Sequence, residues 1–103
     1  MNLKKSTSII TGGAHRVGKA IALELANYGS NIILHYGRSK EKAEETVNEI
    51  KDLDVEVEAY SADLFSEMEI DNLFEKINET IILTHYHSSM RTNVAKTSVL
   101  QKD

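Results

Sequence analysis

Three times along the chain a short β-branched or apolar run gives way to a segment whose apolar residues recur every three or four positions, and this alternation restricts the fold more than any other feature. Residues 6 to 11, Ser-Thr-Ser-Ile-Ile-Thr, read as a buried strand ending on the turn signal Gly12-Gly13. Val17, Ala20, Ile21, Leu25 and Tyr28 then share one helical face, and Gly29 stops the helix. Asn31 to Tyr36 forms a second apolar strand, closed by Gly37. Ala43, Val47 and Ile50 stripe a second helix from about Ser39 to Lys51, whose other face carries Glu41, Lys42, Glu45 and Glu49 and suits solvent. Val55, Val57 and Ala59 alternate with Glu56, Glu58 and Tyr60, the period of a half-exposed strand. A third helix is expected from about Ser66 to Glu79, with Ile70, Leu73, Phe74 and Ile77 on one face and a capping box from Ser66 to Glu69.

Helices of this length between strands mean parallel pairing through right-handed crossovers. The fold class predicted is therefore α/β, a partial doubly wound parallel sheet in the order β-α-β-α-β-α, with residues 81 to 84 (Ile-Ile-Leu-Thr) as a candidate fourth strand. Such crossovers put the first two helices on one face, and the third is expected to reach the other only if strand four pairs beside strand one. Residues 1–84 form the ordered part of this scheme. Residues 85–103 carry no period and are expected to be a polar tail, with the look of out-of-frame translation.

Length and composition fit one small domain: 103 residues, 41% of them hydrophobic, can bury about two-thirds of the surface that the unfolded chain exposes. The absence of cysteine excludes disulfides, thiolate metal sites and thiol chemistry. No apolar run approaches the roughly 18 residues of a membrane span. The basic start is followed by Gly12, Gly13, His15 and Arg16, which interrupt any secretory apolar stretch, so the expected compartment is the cytoplasm. A net charge of −4 argues against a nucleic-acid partner. His85 and His87 lack a third ligand nearby, and no metal is expected.

Residues 11 to 18, Thr-Gly-Gly-Ala-His-Arg-Val-Gly, lie between a predicted strand and a predicted helix, where chemistry concentrates. Glycines there permit positive φ and close approach of a pyrophosphate, whose charge meets the unpaired N–H groups of the helix start. That context favours nucleotide binding over an ordinary strand-to-helix turn. The loop resembles the Thr-Gly-x-x-x-Gly-x-Gly loop of short-chain dehydrogenases/reductases, with Arg16 at the middle glycine. Residues 11 to 22 together are similar to the variant of pteridine reductases and of some 3-oxoacyl-(acyl carrier protein) reductases. The resemblance implies a Rossmann-like fold and cofactor contacts from Gly12, Ala14, His15, Arg16, Val17 and Gly18. Arg16 faces the cofactor phosphates or points to solvent.

Cofactor choice is read about twenty positions past the glycine loop, where an acid accepts the ribose 2′-hydroxyl of NAD and an arginine accommodates the 2′-phosphate of NADP. Between Asn31 and Lys40 there is no acid; the segment offers His35, Tyr36, Gly37, Arg38 and Ser39. Arg38 presents a planar fork of donors and Ser39 adds a hydroxyl. The same stretch is similar to His-Tyr-x-Arg-Ser of the pteridine-reductase-like branch, so NADP is expected, with Tyr36, Arg38 and Ser39 as contacts. The competing reading is a basic loop paired with Glu41 or Glu45. Asp63-Leu64 resembles the family's step at the adenine, where the carboxylate accepts from the amino group; otherwise Asp63 is a turn or capping residue.

The resemblance covers residues 6 to 84 and then stops. Family members continue with Asn-Asn-Ala-Gly, a catalytic serine and Tyr-x-x-x-Lys, in which tyrosine exchanges a proton while the nicotinamide passes hydride. None of these can be placed here. Tyr36 and Lys40 have the Tyr-x-x-x-Lys spacing but follow strand two, at the adenosine end, and are rejected as a catalytic pair. The resemblance therefore implies the cofactor-binding half of an NADP(H)-dependent oxidoreductase, inactive alone, with no catalytic residue of its own. A stand-alone nucleotide-binding or regulatory module and a non-functional product of a disrupted gene are the alternatives. Expected partners are NADP(H) and, through an uncovered sheet edge, a second copy or a full-length relative.

Overall fold

The computed structural model describes the backbone of residues 2–88 and side chains as far as residue 81. Its elements are β1 (Thr7–Ile10), α1 (Arg16–Asn27), β2 (Asn31–Tyr36), α2 (Lys40–Lys51), β3 (Val57–Ser61) and α3 (Glu67–Ser88). The strands form one parallel sheet in the order β1-β2-β3, with Thr7 opposite Asn31 and Ile32 opposite Val57. This is the Rossmann-like α/β arrangement expected.

Alternate residues of the strands feed two cores. Ile10, Ile32 and Leu34 pack with Ala22 and Ala26 of α1 and Ile50 of α2, while Ile9 and Ile33 pack on the other face with Ala62, Leu73 and Ile77. Both faces of β1 and β2 are thus covered, which is why these strands read as nearly continuous apolar runs rather than alternating ones. Ile10, Leu34, Ala22 and Ile50 are all 0% exposed, and each large aliphatic side chain so buried contributes about 1.5–3 kcal/mol. Inside, the hydroxyls of Ser8 and Ser30 pair at 2.7 Å, and Ser30 also donates to the Asn31 carbonyl.

Several details depart from expectation. Along α1 and its C-cap, Val17, Ala20, Ile21 and Tyr28 are exposed, and Ala22 and Ala26 form the buried face instead, with Leu23 and Leu25 packed beside them; Phe74 of α3 is also exposed. β3 begins at Val57 rather than Val55, because the α2–β3 turn, with Asp54 at φ 61, extends to that point; Val55 nonetheless packs against the core beneath α1 and α2. More consequentially, residues 81–84 are helix, not a fourth strand. Ile70, Leu73, Ile77 and Ile81 continue one stripe at three- and four-residue spacing, Ile81 packs on the Leu73–Ile77 core, and no glycine or proline interrupts. Thr80 supports the continuation by donating to the Lys76 carbonyl, 2.9 Å away, next to the Tyr60 hydroxyl.

α3 consequently covers the face opposite α1 and α2 without a fourth strand, against the condition placed on its crossing. Ile9 and Ile33 explain why: left bare, they would expose an apolar sheet face, which the α3 stripe buries. Among the described residues no strand pairs with the outer edge of β1. The tail expected from residue 85 lies outside the described residues beyond Ser88, while 85–88 complete α3. Among the described residues no helix is long and apolar enough to cross a membrane.

Candidate functional site

The carboxyl ends of three parallel strands open onto three loops, residues 11–15, 37–39 and 62–66. In the first, Gly12 takes φ +65, the left-handed region, and its carbonyl accepts from the His15 N–H at 3.1 Å. The Gly13 N–H donates to the His35 carbonyl at 3.0 Å, which pins the loop to the end of β2. Gly18 lets α1 start directly on this loop, since a Cβ there would run into the Gly12 carbonyl and lie 3.0 Å from Gly13 Cα. His15 makes no side-chain cap and the first turn of α1 holds no acid, so no carboxylate of that turn offsets the positive helix start. Ala14 is buried, whereas His15, Arg16 and Val17 are exposed.

The other two loops share a cleft of about 550 Å³ whose walls include His35, Arg38, Asp63 and Leu64. Arg38 is exposed beside Gly37, and Ser39, the residue before α2, makes no side-chain cap. Among the described residues the one ion pair is Lys19–Glu49, so Arg38 is not tied to Glu41 or Glu45. Asp63 is held by its turn: Oδ1 accepts from Phe65 N–H at 2.9 Å, its own N–H donates to Glu69 Oε1 at 2.9 Å, and its carbonyl accepts from Ser66 N–H at 3.0 Å. The turn role is therefore real, and it occupies one of the two carboxylate oxygens. The capping box is divided: Ser66 Oγ accepts from Glu69 N–H at 3.3 Å, but the glutamate reaches Asp63 rather than Ser66.

Tyr36 is not brought to this cleft. Neighbouring strand residues face opposite ways, and its side chain lines a separate groove with Lys40, Ala43 and Val47 of α2. His35, on the cleft side, is the residue that sequence reasoning passed over; its one signal is a polar ring inside an otherwise apolar strand. It is 5% exposed, with Nε2 2.9 Å from the Ala62 carbonyl. Behind the glycine loop, the Lys19–Glu49 contact of 2.5 Å ties α1 to α2. Hydrogen bonding to Glu49, aided by its charge and that of Glu45, raises the Lys19 pKa above the usual 10.5. Among the described residues no group of His, Asp and Glu side chains is placed to hold a metal ion.

Against known families, the model of the short chain dehydrogenases matches residues 6–85. The chain belongs to the short-chain dehydrogenase family. It is 32% identical over 80 residues to the short-chain dehydrogenase/reductase homolog YusS of Bacillus subtilis, a match taking in 78% of this chain and 73% of that one. With the 3-oxoacyl-(acyl-carrier-protein) reductase FabG of Staphylococcus aureus it shares 36% identity over 77 residues, 75% of this chain and 31% of that protein. Among solved structures, a short-chain dehydrogenase from Burkholderia cenocepacia in complex with NADP superposes with a TM-score of 0.73 at 29% identity, over 78% of this chain and 33% of that one. This chain thus spans about a third of the reductase and of the solved structure, and is comparable in length to the YusS homolog.

Proposed function

We propose that this short-chain dehydrogenase chain binds NADP(H) through the adenosine and pyrophosphate end. The observation that carries the reading is Arg38, unpaired among the described residues and in one cleft with Asp63 and Leu64, where β2 ends without a carboxylate. A 2′-phosphate suits that guanidinium and the Ser39 hydroxyl. Gly12, Ala14, His15, Arg16, Val17 and Gly18 surround the pyrophosphate, which meets the uncapped N–H groups of α1. Asp63 offers its second oxygen to the adenine amino group and Leu64 its backbone. Tyr36 contributes from its backbone, with its ring turned to α2.

When bound, the nicotinamide supplies hydride chemistry. This chain's residues bind and orient the other end of the cofactor. The family's serine and Tyr-x-x-x-Lys pair have no counterpart in residues 1–103, so we expect binding without turnover by this chain alone, whereas longer members reduce carbonyl compounds. The YusS homolog, of comparable length, favours a second reading as a stand-alone nucleotide-binding module of the cytoplasm. The open edge of β1 suits association with a second copy or a longer relative.

Titration with NADPH and NADH, followed by nicotinamide fluorescence, tests this. The wild-type chain should saturate with NADPH, and Arg38→Asp should weaken NADPH by about ten- to a hundredfold, the range of one charged hydrogen bond, with little effect on NADH. Equal losses for both coenzymes overturn the NADP assignment, and no saturable signal from the wild type overturns cofactor binding.

A further inference from the structure

His35 is unusual for what converges on it. The last register pair of β2 and β3 is Tyr36 with Ser61, followed by the Ala62 N–H donating to the Tyr36 carbonyl at 3.1 Å. The His35 ring adds one bond beyond that ladder, at 2.9 Å to the Ala62 carbonyl, immediately before Asp63. Its own carbonyl receives the Gly13 N–H at 3.0 Å. The loop with Arg38 begins two residues downstream. One residue therefore adjoins the glycine loop and both loops of the cleft, by backbone on one side and side chain on the other.

A carbonyl only accepts, so Nε2 bears a proton toward Ala62, and in the neutral ring Nδ1 is then a bare lone pair. Nδ1 is buried and has no partner among the described residues. An unpaired buried acceptor opposes stability, so the folded chain gains nothing from an imidazole here beyond the single bond to Ala62. A purely apolar residue would fit the neighbouring core of Ile9, Ile33 and Ala62 without that penalty. The ring is better explained by where its bond acts, at the exit of β3.

We propose that His35 is a positioning residue for nucleotide binding: its Nε2–H holds the Ala62–Asp63 exit against β2 and so sets the spacing between Asp63 and Arg38. The inference rests on the NADP(H) reading of this cleft. Only the ring bond depends on the side chain, because any residue would supply the carbonyl to Gly13.

Two variants of the whole chain separate these contributions. His35→Phe keeps a planar ring without the donor, and His35→Gln restores a donor near the Nε2 position. Amide hydrogen exchange without cofactor should be about tenfold faster at Asp63, Phe65 and Ser66 in His35→Phe, as expected for loss of one hydrogen bond, unchanged at Gly13, and largely restored in His35→Gln. Adenosine 2′,5′-bisphosphate should bind His35→Phe about tenfold more weakly, with recovery in His35→Gln. In the wild type, nitrogen shifts of the ring should report the Nε2–H tautomer, a check that needs no variant to fold.

An Nδ1–H tautomer overturns the proposal. So does an exchange increase spread evenly over the chain, or unchanged bisphosphate affinity in His35→Phe while the wild type binds. Failure of the wild type to bind NADPH overturns the cofactor reading instead.

Discussion

Replacing Gly18 by alanine opposes two effects of known size. Alanine is favoured over glycine inside a helix by about 1 kcal/mol. Against that, the new Cβ would run into the Gly12 carbonyl and lie 2.8 Å from its carbon, where ordinary contact begins at 3.4 Å. The obstructing atoms are backbone and cannot rotate away, so the glycine loop must retreat by at least about 0.6 Å, an overpacking that costs about 1–3 kcal/mol. Sterics win in the upper part of that range, and we expect a net loss of about 1–2 kcal/mol, or roughly 4–8 °C in melting temperature per kcal/mol. Thermal and urea melts followed by circular dichroism measure it, with Gly37→Ala as control. At Gly37 a Cβ meets nothing within 4 Å, and the substitution should be neutral or stabilise by up to about 1 kcal/mol through the unfolded chain. If Gly18→Ala melts at or above wild type, α1 does not start against its own loop and the account of the phosphate cradle is refuted.

Gly13 and Leu34 should be coupled: a Cβ on Gly13 would overlap the Leu34 side chain. Gly13→Ala should therefore be less destabilising in a Leu34→Ala background than alone, by about 0.5–3 kcal/mol in a double-mutant cycle. Ser66→Ala removes the bond to Glu69 N–H and should cost about 1 kcal/mol in urea melts. Lys19 has a raised pKa when folded, so its pairing with Glu49 favours the folded state fully below the unfolded value near 10.5 and loses that effect as pH rises through the higher folded value. Melting temperature should accordingly lose the contribution of this pair only above that pH, whereas Lys19→Met should remove it throughout, lowering the melting temperature slightly and evenly over pH 5–9 and flattening the alkaline limb.

Most of the scaffold was readable because the strands and helices differ in period and end on glycine. Gly12 and Gly29, both at positive φ, mark a strand exit and a helix exit where expected. Residues 81–84 were misread because a four-residue apolar run has no period of its own. Only its phase with Ile70, Leu73 and Ile77 identifies it as helix. In the site, Arg38, Asp63 and Leu64 were named from sequence and share a cleft, while Tyr36, adjacent to His35, falls on the opposite face. The role of His35 was illegible because it depends on Ala62, 27 residues away, and on a ring nitrogen rather than on any local pattern.

The sheet register has a consequence for how the cleft arises. Thr7 pairs with Asn31 and Ile32 with Val57, so each strand pairing closes a loop of a single βα unit and none spans the whole chain. Loop-closure entropy grows only slowly with length, and two closures of similar size carry similar penalties. The three loops then follow in chain order, and the last of them, residues 62–66, is completed by Glu69 in the first turn of α3. On a ribosome, where domains emerge amino end first, most walls of the proposed nucleotide cleft, all but Glu69, are available before the helix that seals the opposite face of the sheet. Until α3 arrives, Ile9 and Ile33 lie open to water, and an early-bound nucleotide would steady a sheet with one face still bare.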